Sequence, residues 1–110
     1  MNVNISFEIE DNTQAVLANI AEKKRSALRK IGLFVEGEAK LNAPVDTGIL
    51  RGSIRSNVSD EKVIIGTDID YALFVEKGTS RQTAQPFLTP AVEGNIGEIK
   101  RIVESEFRTL

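Results

Sequence analysis

The chain has 110 residues, of which 41% are hydrophobic and 27% are charged, and it contains no cysteine and no histidine. This length predicts one domain over residues 1–110. Without cysteine and histidine, the sequence excludes disulfides, thiol nucleophiles, zinc sites and the imidazole chemistry of Ser-His-Asp triads. The net charge of −2 gives no cationic field that would favour nucleic acid.

The first predicted element is a strand over residues 3–9, where apolar residues occupy every second position from Val3 to Ile9. Period two is typical of a strand with one buried face, and we expect this strand at a sheet edge, where another chain can add a strand. The segment carries acids, and no run in the chain approaches 18 apolar residues, unlike signal peptides and membrane spans. We therefore expect a protein that is made and kept in a cytoplasm.

A long helix is predicted from an N-cap at Thr13 to about Leu41, because apolar residues recur there at spacings of three and four. Its charged middle, residues 22–30, is typical of a solvated helix face, and a basic patch for an acidic partner or phosphates is the alternative. Gly32 and Gly37 lie within the apolar stripe, where they indicate close packing or a bend.

An antiparallel hairpin is predicted after Pro44, which ends the long helix because the residue before a proline is biased away from helical geometry. The two strands cover residues 49–58 and 62–66 and are joined at residues 59–61. The inner face of the hairpin is assigned to Ile54, Val58, Val63 and Ile65.

Two further helices are predicted in the remainder of the chain. A short helix begins near Tyr71 and ends at Gly78, residues 78–85 form an exposed loop, and a second long helix follows Pro86 with Pro90 in its first turn. The fold class is therefore α+β, with a small, mainly antiparallel sheet packed against two long helices and one short helix. Four apolar residues of this part are assigned to the core: Tyr71, Phe74, Phe87 and Leu88.

The tripeptide Asp46-Thr47-Gly48 matches the active-site signature of aspartic proteases, in which two subunits each supply one carboxylate and the pair activates water. That signature requires a buried strand before the aspartate and an all-β fold, whereas this chain has a broken helix end and about half helix by its periodicity. A plain turn explains the tripeptide better. A dimeric protease using Asp46 is kept as a remote alternative.

No cofactor and no metal site is predicted. The glycines form neither a P-loop nor a dinucleotide fingerprint. Four acids are rich in the oxygen ligands that calcium and magnesium prefer, but their spacing matches no EF-hand loop and turn formation explains them. These acids are Asp60, Glu61, Asp68 and Asp70.

Several motifs in a fixed order carry a resemblance to a known family. They are A-P-V-D-T-G-x-L-R-x-S-I at 43–54, I-G-T at 65–67, Y-A at 71–72, V-E-x-G-T-S at 75–80 and A-Q-P-F-L-x-P-A at 84–91. Together they resemble the tailed-bacteriophage head-to-tail joining family, small virion proteins of the neck and tail-completion region often encoded by prophages. The resemblance covers residues 13–105, and the order and spacing of its motifs are more specific than any single motif.

The resemblance implies an assembly role without catalysis, in which copies form a ring in the virion that joins head and tail or completes the tail. The implied partners are further copies of the chain, the tail tube or tail terminator, and head connector proteins. DNA would at most pass through the ring, no membrane or small-molecule substrate is involved, and assembly takes place in the host bacterial cytoplasm. The alternative from another class is a small host or prophage protein-binding module, which would form a discrete heterodimer.

A closed ring needs two different faces that bind each other. The polar loop at residues 78–85 is expected to be poorly ordered alone and to become ordered on a neighbouring subunit or on the tail tube. The predicted strand from Arg51 to Arg55 is expected to form the second face. The predicted partner-interface residues are Arg51, Arg55, Thr79, Ser80, Arg81, Gln82 and Gln85.

Overall fold

The computed structural model describes residues 1–8, 14–44 and 48–108, with the side chains of residues 14–19 outside this description. In these ranges the chain forms three strands and five helices, which confirms the predicted α+β class. The elements are β1 (Asn2–Ser6), α1 (Gln14–Asn42), α2 (Ile49–Ser53), β2 (Arg55–Val58), β3 (Lys62–Gly66), α3 (Ala72–Lys77), α4 (Thr89–Glu93) and α5 (Ile96–Phe107). The predicted N-cap Thr13 and the turn residues Asp46 and Thr47 lie outside the described residues.

The three strands form one antiparallel sheet in the order β1-β3-β2. β3 is central: Val63 is opposite Ile5 of β1 and also opposite Val58 of β2. Side chains alternate between the two faces of a strand, and Val63 and Ile65 of β3 are fully buried on the inner face. β1 lies at a sheet edge, as predicted.

Helix α1 packs its apolar stripe onto the inner face of the sheet. A Cβ atom at Gly32 would lie 2.8 Å from Val63 Cγ2, so the helix approaches the sheet so closely there that a larger residue would require Val63 to shift or to be smaller. The predicted close packing is confirmed at Gly32, whereas Gly37 is exposed and would meet no neighbour. The fully buried residues on this side of α1 are Leu28, Ile31, Val35 and Ala39.

The predicted strand over residues 49–58 is wrong in its first half, because Ile49–Ser53 is helix α2 and the strand begins only at Arg55. Gly48, with φ 75°, leads into this helix. Leu50 and Ile54 are four residues apart, and both are buried while Ile49 is 56% exposed. Residues four apart lie on one face in a helix and in a strand alike, so this spacing fits both structures and does not separate them.

The predicted second long helix is confirmed in α5, but its first part is wrong, because the chain is divided at Gly94 and Asn95 and forms the separate short helix α4 before them. Asn95 has φ −130°, outside the helical range, and its side-chain amide donates a hydrogen bond to the carbonyl of Ala91 at 2.9 Å. The apolar spacing continues across the break, so periodicity alone predicts one helix. The local backbone preference of Gly and Asn decides against it.

Candidate interaction site

Helix α3 turns most of its large apolar side chains toward solvent. It buries Ala72 and Glu76, one turn apart, while Tyr71, Leu73 and Phe74 are 43%, 46% and 55% exposed. The core assignment of Tyr71 and Phe74 is therefore wrong, because docking through positions 72 and 76 turns these residues outward. Phe87 and Leu88 are buried, as predicted. We call Tyr71, Leu73 and Phe74 the α3 surface.

The loop beside the α3 surface is exposed from residue 79 to residue 86, as predicted. The Thr79 hydroxyl accepts hydrogen bonds from the amides of Arg81 and Gln82 at 3.1 and 3.0 Å, and the Thr79 amide donates to the Gln82 carbonyl at 2.9 Å. The Gln85 amide donates to the carbonyl of Val75 at 2.8 Å, which closes the loop onto α3. These bonds define the path of the loop backbone, and its ordering on a neighbouring subunit or on the tail tube stays a prediction.

Glycine is required at Gly78, where α3 ends and the loop begins. Its φ is 76°, in the left-handed region that residues with a side chain rarely adopt. An added Cβ atom would also lie 2.7 Å from the amide nitrogen of Ala84. The predicted helix end at Gly78 is confirmed, and the tight return of the loop depends on it.

Glu76 is a buried carboxylate that fixes α3 to the start of α4. It is 7% exposed, and Oε1 accepts hydrogen bonds from the amides of Phe87 at 3.2 Å and Leu88 at 2.8 Å. Oε2 accepts a longer bond from the amide of Thr89 at 3.4 Å. Amides at the start of a helix have no partner within it, and an anion is favoured there. The Glu76 carboxylate therefore connects the helix before the loop to the start of the helix after it.

Glu76 lies within the V-E-x-G-T-S motif at residues 75–80, but its role was not predicted from the sequence. The available signal was its spacing of four from Ala72, which places both residues on one helix face. A glutamate on a buried helix face needs a hydrogen-bond partner. The amides that serve as partners lie 11 to 13 residues further along the chain, beyond the reach of local patterns.

The structure divides the predicted interface residues into two groups. Arg51 and Arg55 belong to α2 and β2, and Arg55 donates to the carbonyls of Gly52 at 2.6 Å and Ile54 at 3.0 Å. Nε of Arg51 is buried, and no acceptor reaches it in the described ranges. The other five residues are brought together on the loop: Thr79, Ser80, Arg81, Gln82 and Gln85.

The charged middle of α1 is neutralised in part by acids of the same chain, which supports a solvated helix face. The ion pairs join Lys24 to Glu61 at 3.0 Å, Lys30 to Glu106 at 2.8 Å, and Arg25 to Asp60.

No group of three or more acidic side chains that could hold a metal ion occurs among the described residues.

The aspartic-protease alternative requires an all-β fold, and this chain does not have one. Its sheet has three strands, and the longest element is the 29-residue helix α1. Of the signature tripeptide, the structure describes only Gly48, which precedes a helix. The fold therefore argues against the protease.

Comparison with known proteins identifies a phage family. No curated protein and no solved structure matches the chain. No helix in the described part of the chain is long and apolar enough to cross a membrane. The family model described as "Bacteriophage HK97-gp10, putative tail-component" matches residues 7–78, which is 72 of the 110 residues and includes α1, β2, β3 and α3. The chain therefore belongs to the HK97-gp10-like family of bacteriophage tail components.

Proposed function

We propose that this tail component is a structural protein without catalysis, which joins head and tail or completes the tail as a ring-forming oligomer. Membership of a phage tail-component family supports a structural role in the virion. The α3 surface is the observation that carries the proposal, because it presents two aromatic residues and a leucine to solvent beside a polar loop. Aromatic anchors surrounded by polar residues are typical of the energetic centre of protein–protein interfaces.

The proposed ring joins two different faces of neighbouring copies. A contact between two different faces relates each copy to the next by the same rotation. The ring closes when a whole number of these rotations makes a full turn. One face is the α3 surface with the loop residues Thr79 to Gln85, and the other contains Arg51 and Arg55. The buried Arg51 Nε lacks an acceptor in the described part of its own subunit, and a carboxylate or carbonyl of the next copy would supply one.

The proposed ring docks against the tail tube or tail terminator on one side and head connector proteins on the other. DNA at most passes through its centre, and assembly takes place in the cytoplasm of the host bacterium. The net charge of −2 supports a passive channel over a DNA-binding one, because phosphate contacts require a cationic surface.

The first experiment is analytical ultracentrifugation of the purified protein over a wide concentration range. We expect closed species of about six copies, since a ring needs several subunits to close. In Phe74→Ser the ring is expected to dissociate, because the substitution removes an aromatic anchor that is already half exposed and leaves the core intact. Leu33→Ser is the matched control, since Leu33 is 61% exposed on α1 and lies outside the proposed faces.

A wild-type protein that forms a strict dimer unaffected by Phe74→Ser would contradict the proposed ring. If the wild type is a monomer alone, the same two variants are compared in virion complementation. Phe74→Ser is then expected to lower the titre about tenfold or more, because loss of an interface anchor weakens assembly. An unchanged titre would refute the role of the α3 surface.

A further inference from the structure

The helical layer of this protein is wider than the sheet that it covers. α1 packs under β2 and β3, with Gly32 against Ser56 and Val63, and α5 lies beside α1. α5 reaches the β1 side through the edge-to-face contact of Phe107 with Phe7, whose ring centroids are 6.0 Å apart. A helix with its side chains is about 10 Å wide and strands are about 4.8 Å apart, so two helices cover about four strands. The sheet has three strands in the described part of the chain, so the two helices leave room for about one more.

The backbone of β1 offers unused hydrogen-bonding groups along its outer edge. Met1 and Thr67 exchange two hydrogen bonds, at 3.1 and 3.4 Å, which fixes the phase of the pairing with β3. Along two antiparallel strands, residue pairs that are hydrogen-bonded to each other alternate with pairs that are not. The odd-numbered residues of β1 are therefore hydrogen-bonded to β3, and the even-numbered residues direct their N–H and C=O groups away from β3, toward the outer edge. Within the described ranges, no hydrogen bond reaches these outward groups. The outward residues are Asn2, Asn4 and Ser6.

The two edge strands differ in how they are protected. At the β2 edge, the outward amide of Ser56 donates to Oε1 of Glu36 on α1 at 2.7 Å, so part of that edge is already occupied. β1 has the sequence NVNIS, without the charged residues, prolines or bulges by which natural proteins usually protect an edge strand. β1 is therefore the open edge of the sheet.

An apolar trough of about 360 Å³ lies directly beside this open edge, between β1 and α5. Ile96 of α5 lines it and is 44% exposed. Among the described residues, Ser6, Lys100 and Glu104 add polar atoms to the lining. The apolar residues of the trough are Ile5, Phe7, Ile31, Ile96, Ile99 and Val103. We call this cavity the β1 trough.

We propose that the β1 edge and the β1 trough together accept one extended strand of another virion protein, as the fourth strand of the sheet. Main-chain groups of the incoming strand pair with the outward groups of β1. Its residues opposite Val3 and Ile5 point toward the helices, so they are uncharged and apolar, and those between them are polar. The partner is thus a segment with apolar residues at every second position.

The dimensions of the layer favour a lone strand over a whole second copy. Two copies joined β1 to β1 about a two-fold axis would share one continuous sheet. Each copy would place its own α5 beneath β1 and the added strand, so the two α5 helices would compete for the same space. A strand without a helix behind it fills the trough without this conflict.

The test uses a substitution that affects only the outer edge. Asn4→Pro removes one outward N–H group and no hydrogen bond to β3, and proline is tolerated on the solvent side of an edge strand. Asn4→Thr is the control, because threonine is a good strand residue that retains the N–H group. We expect Asn4→Pro to fold and to keep the native mass of the wild type, while its incorporation into virions falls about tenfold or more. Normal incorporation of the folded Asn4→Pro protein would overturn the proposal.

A second variant keeps the test decisive if Asn4→Pro fails to fold. Ile96→Ser changes a half-exposed residue of the trough, and Leu41→Ser, at a position 73% exposed on α1, is its control. We expect Ile96→Ser to lower virion incorporation and Leu41→Ser to leave it unchanged. Equal incorporation of both variants would overturn the proposal.

Amide hydrogen exchange distinguishes the occupants of the edge. In assembled virions the amides of Asn4 and Ser6 are expected to exchange about 100-fold more slowly than in the free protein, while Ile5 is protected in both. Unchanged exchange at Asn4 would overturn the proposal. It would also fail if Asn4→Pro dissociated an oligomer of the purified protein, which would assign the edge to a second copy. The proposed ring has a separate readout, because it depends on Phe74 and not on Asn4.

Discussion

Two regions of this protein are held in place in different ways. The body, formed by α1, the sheet and α5, buries aliphatic side chains such as Leu28 and Val63 completely. The arm, residues 71–89, buries Phe87 but exposes its other two aromatic residues, and hydrogen bonds to the buried carboxylate of Glu76 join its two ends. The difference teaches that a segment fixed at a few buried positions and by hydrogen bonds can leave part of its apolar surface free for partners, whereas a long element packed along one whole apolar face cannot.

The largest expected effect tests the body. Leu28→Ala removes a side chain with no solvent exposure and leaves a cavity, which we expect to lower the unfolding free energy by about 3 kcal/mol. Leu33→Ala on the same helix is the control and should change it by about 0.5 kcal/mol or less, because Leu33 is exposed. Urea-induced unfolding measures the unfolding free energy of both variants and of the wild type. Similar losses for the two variants would contradict the assignment of the buried face of α1.

A smaller effect is expected in the arm. Glu76→Ala leaves the amides of Phe87, Leu88 and Thr89 without their acceptor, and we expect a loss of about 2 kcal/mol. Glu76→Gln retains one acceptor oxygen and should lose less. In Glu76→Ala, the Leu88 amide should exchange its hydrogen faster than in the wild type, while the amides of the sheet in the body stay protected. Uniform exchange across both regions would show that arm and body unfold together.

The smallest effect concerns a carboxylate of the body. Hydrogen bonds from Lys30 and then Ser26, with the charges of Lys30 and Lys23, hold the pKa of Glu106 below its ordinary value of 4.5 despite partial burial. A carboxyl whose pKa is lower in the folded state stabilises the fold above its unfolded pKa, and this contribution disappears as pH falls through the folded pKa. Glu106→Gln should therefore cost about 1 kcal/mol or less at neutral pH and nothing once the carboxyl is protonated.

The measurement for Glu106 is the unfolding free energy of wild type and variant from neutral pH to strongly acidic pH. Glu104→Gln makes the same change of charge at an exposed position of α5 and should leave the profile close to that of the wild type. A difference between Glu106→Gln and wild type that persisted in strong acid would show that the side chain contributes through packing and not through its charge.

Long periodic elements could be predicted from the sequence, because burial of one face imposes a regular spacing over many residues. The helix ending near Leu41 is confirmed, and the strand predicted over residues 3–9 is confirmed as far as Ser6, whereas Ile9 lies outside the described residues. The shortest helices could not be predicted in this way. The spacing from Leu50 in α2 to Ile54 just after it fits a helix and a strand alike, and at Asn95 a local break overrides a continuing apolar repeat.

The candidate site was predictable only in part. The polarity of the loop from Thr79 to Gln85 predicted its exposure, because residues without apolar periodicity have no face to bury. Tyr71 and Phe74 were assigned to the core because apolar residues usually lie there, whereas α3 docks through Ala72 and Glu76 and leaves both residues exposed. The open edge of β1 depends on hydrogen-bond phase with a strand about 60 residues away, which no local pattern encodes.

The close approach of Gly32 to Val63 has a consequence for how this chain can vary in evolution. The two positions share one fixed volume between α1 and the sheet, so a methyl group gained on the helix must be matched by one lost from the strand. Among relatives, size at these positions should covary: a glycine opposite a branched residue, or an alanine opposite a smaller one. Such a pair records the distance between helix and sheet even where every other residue in the two elements has been replaced.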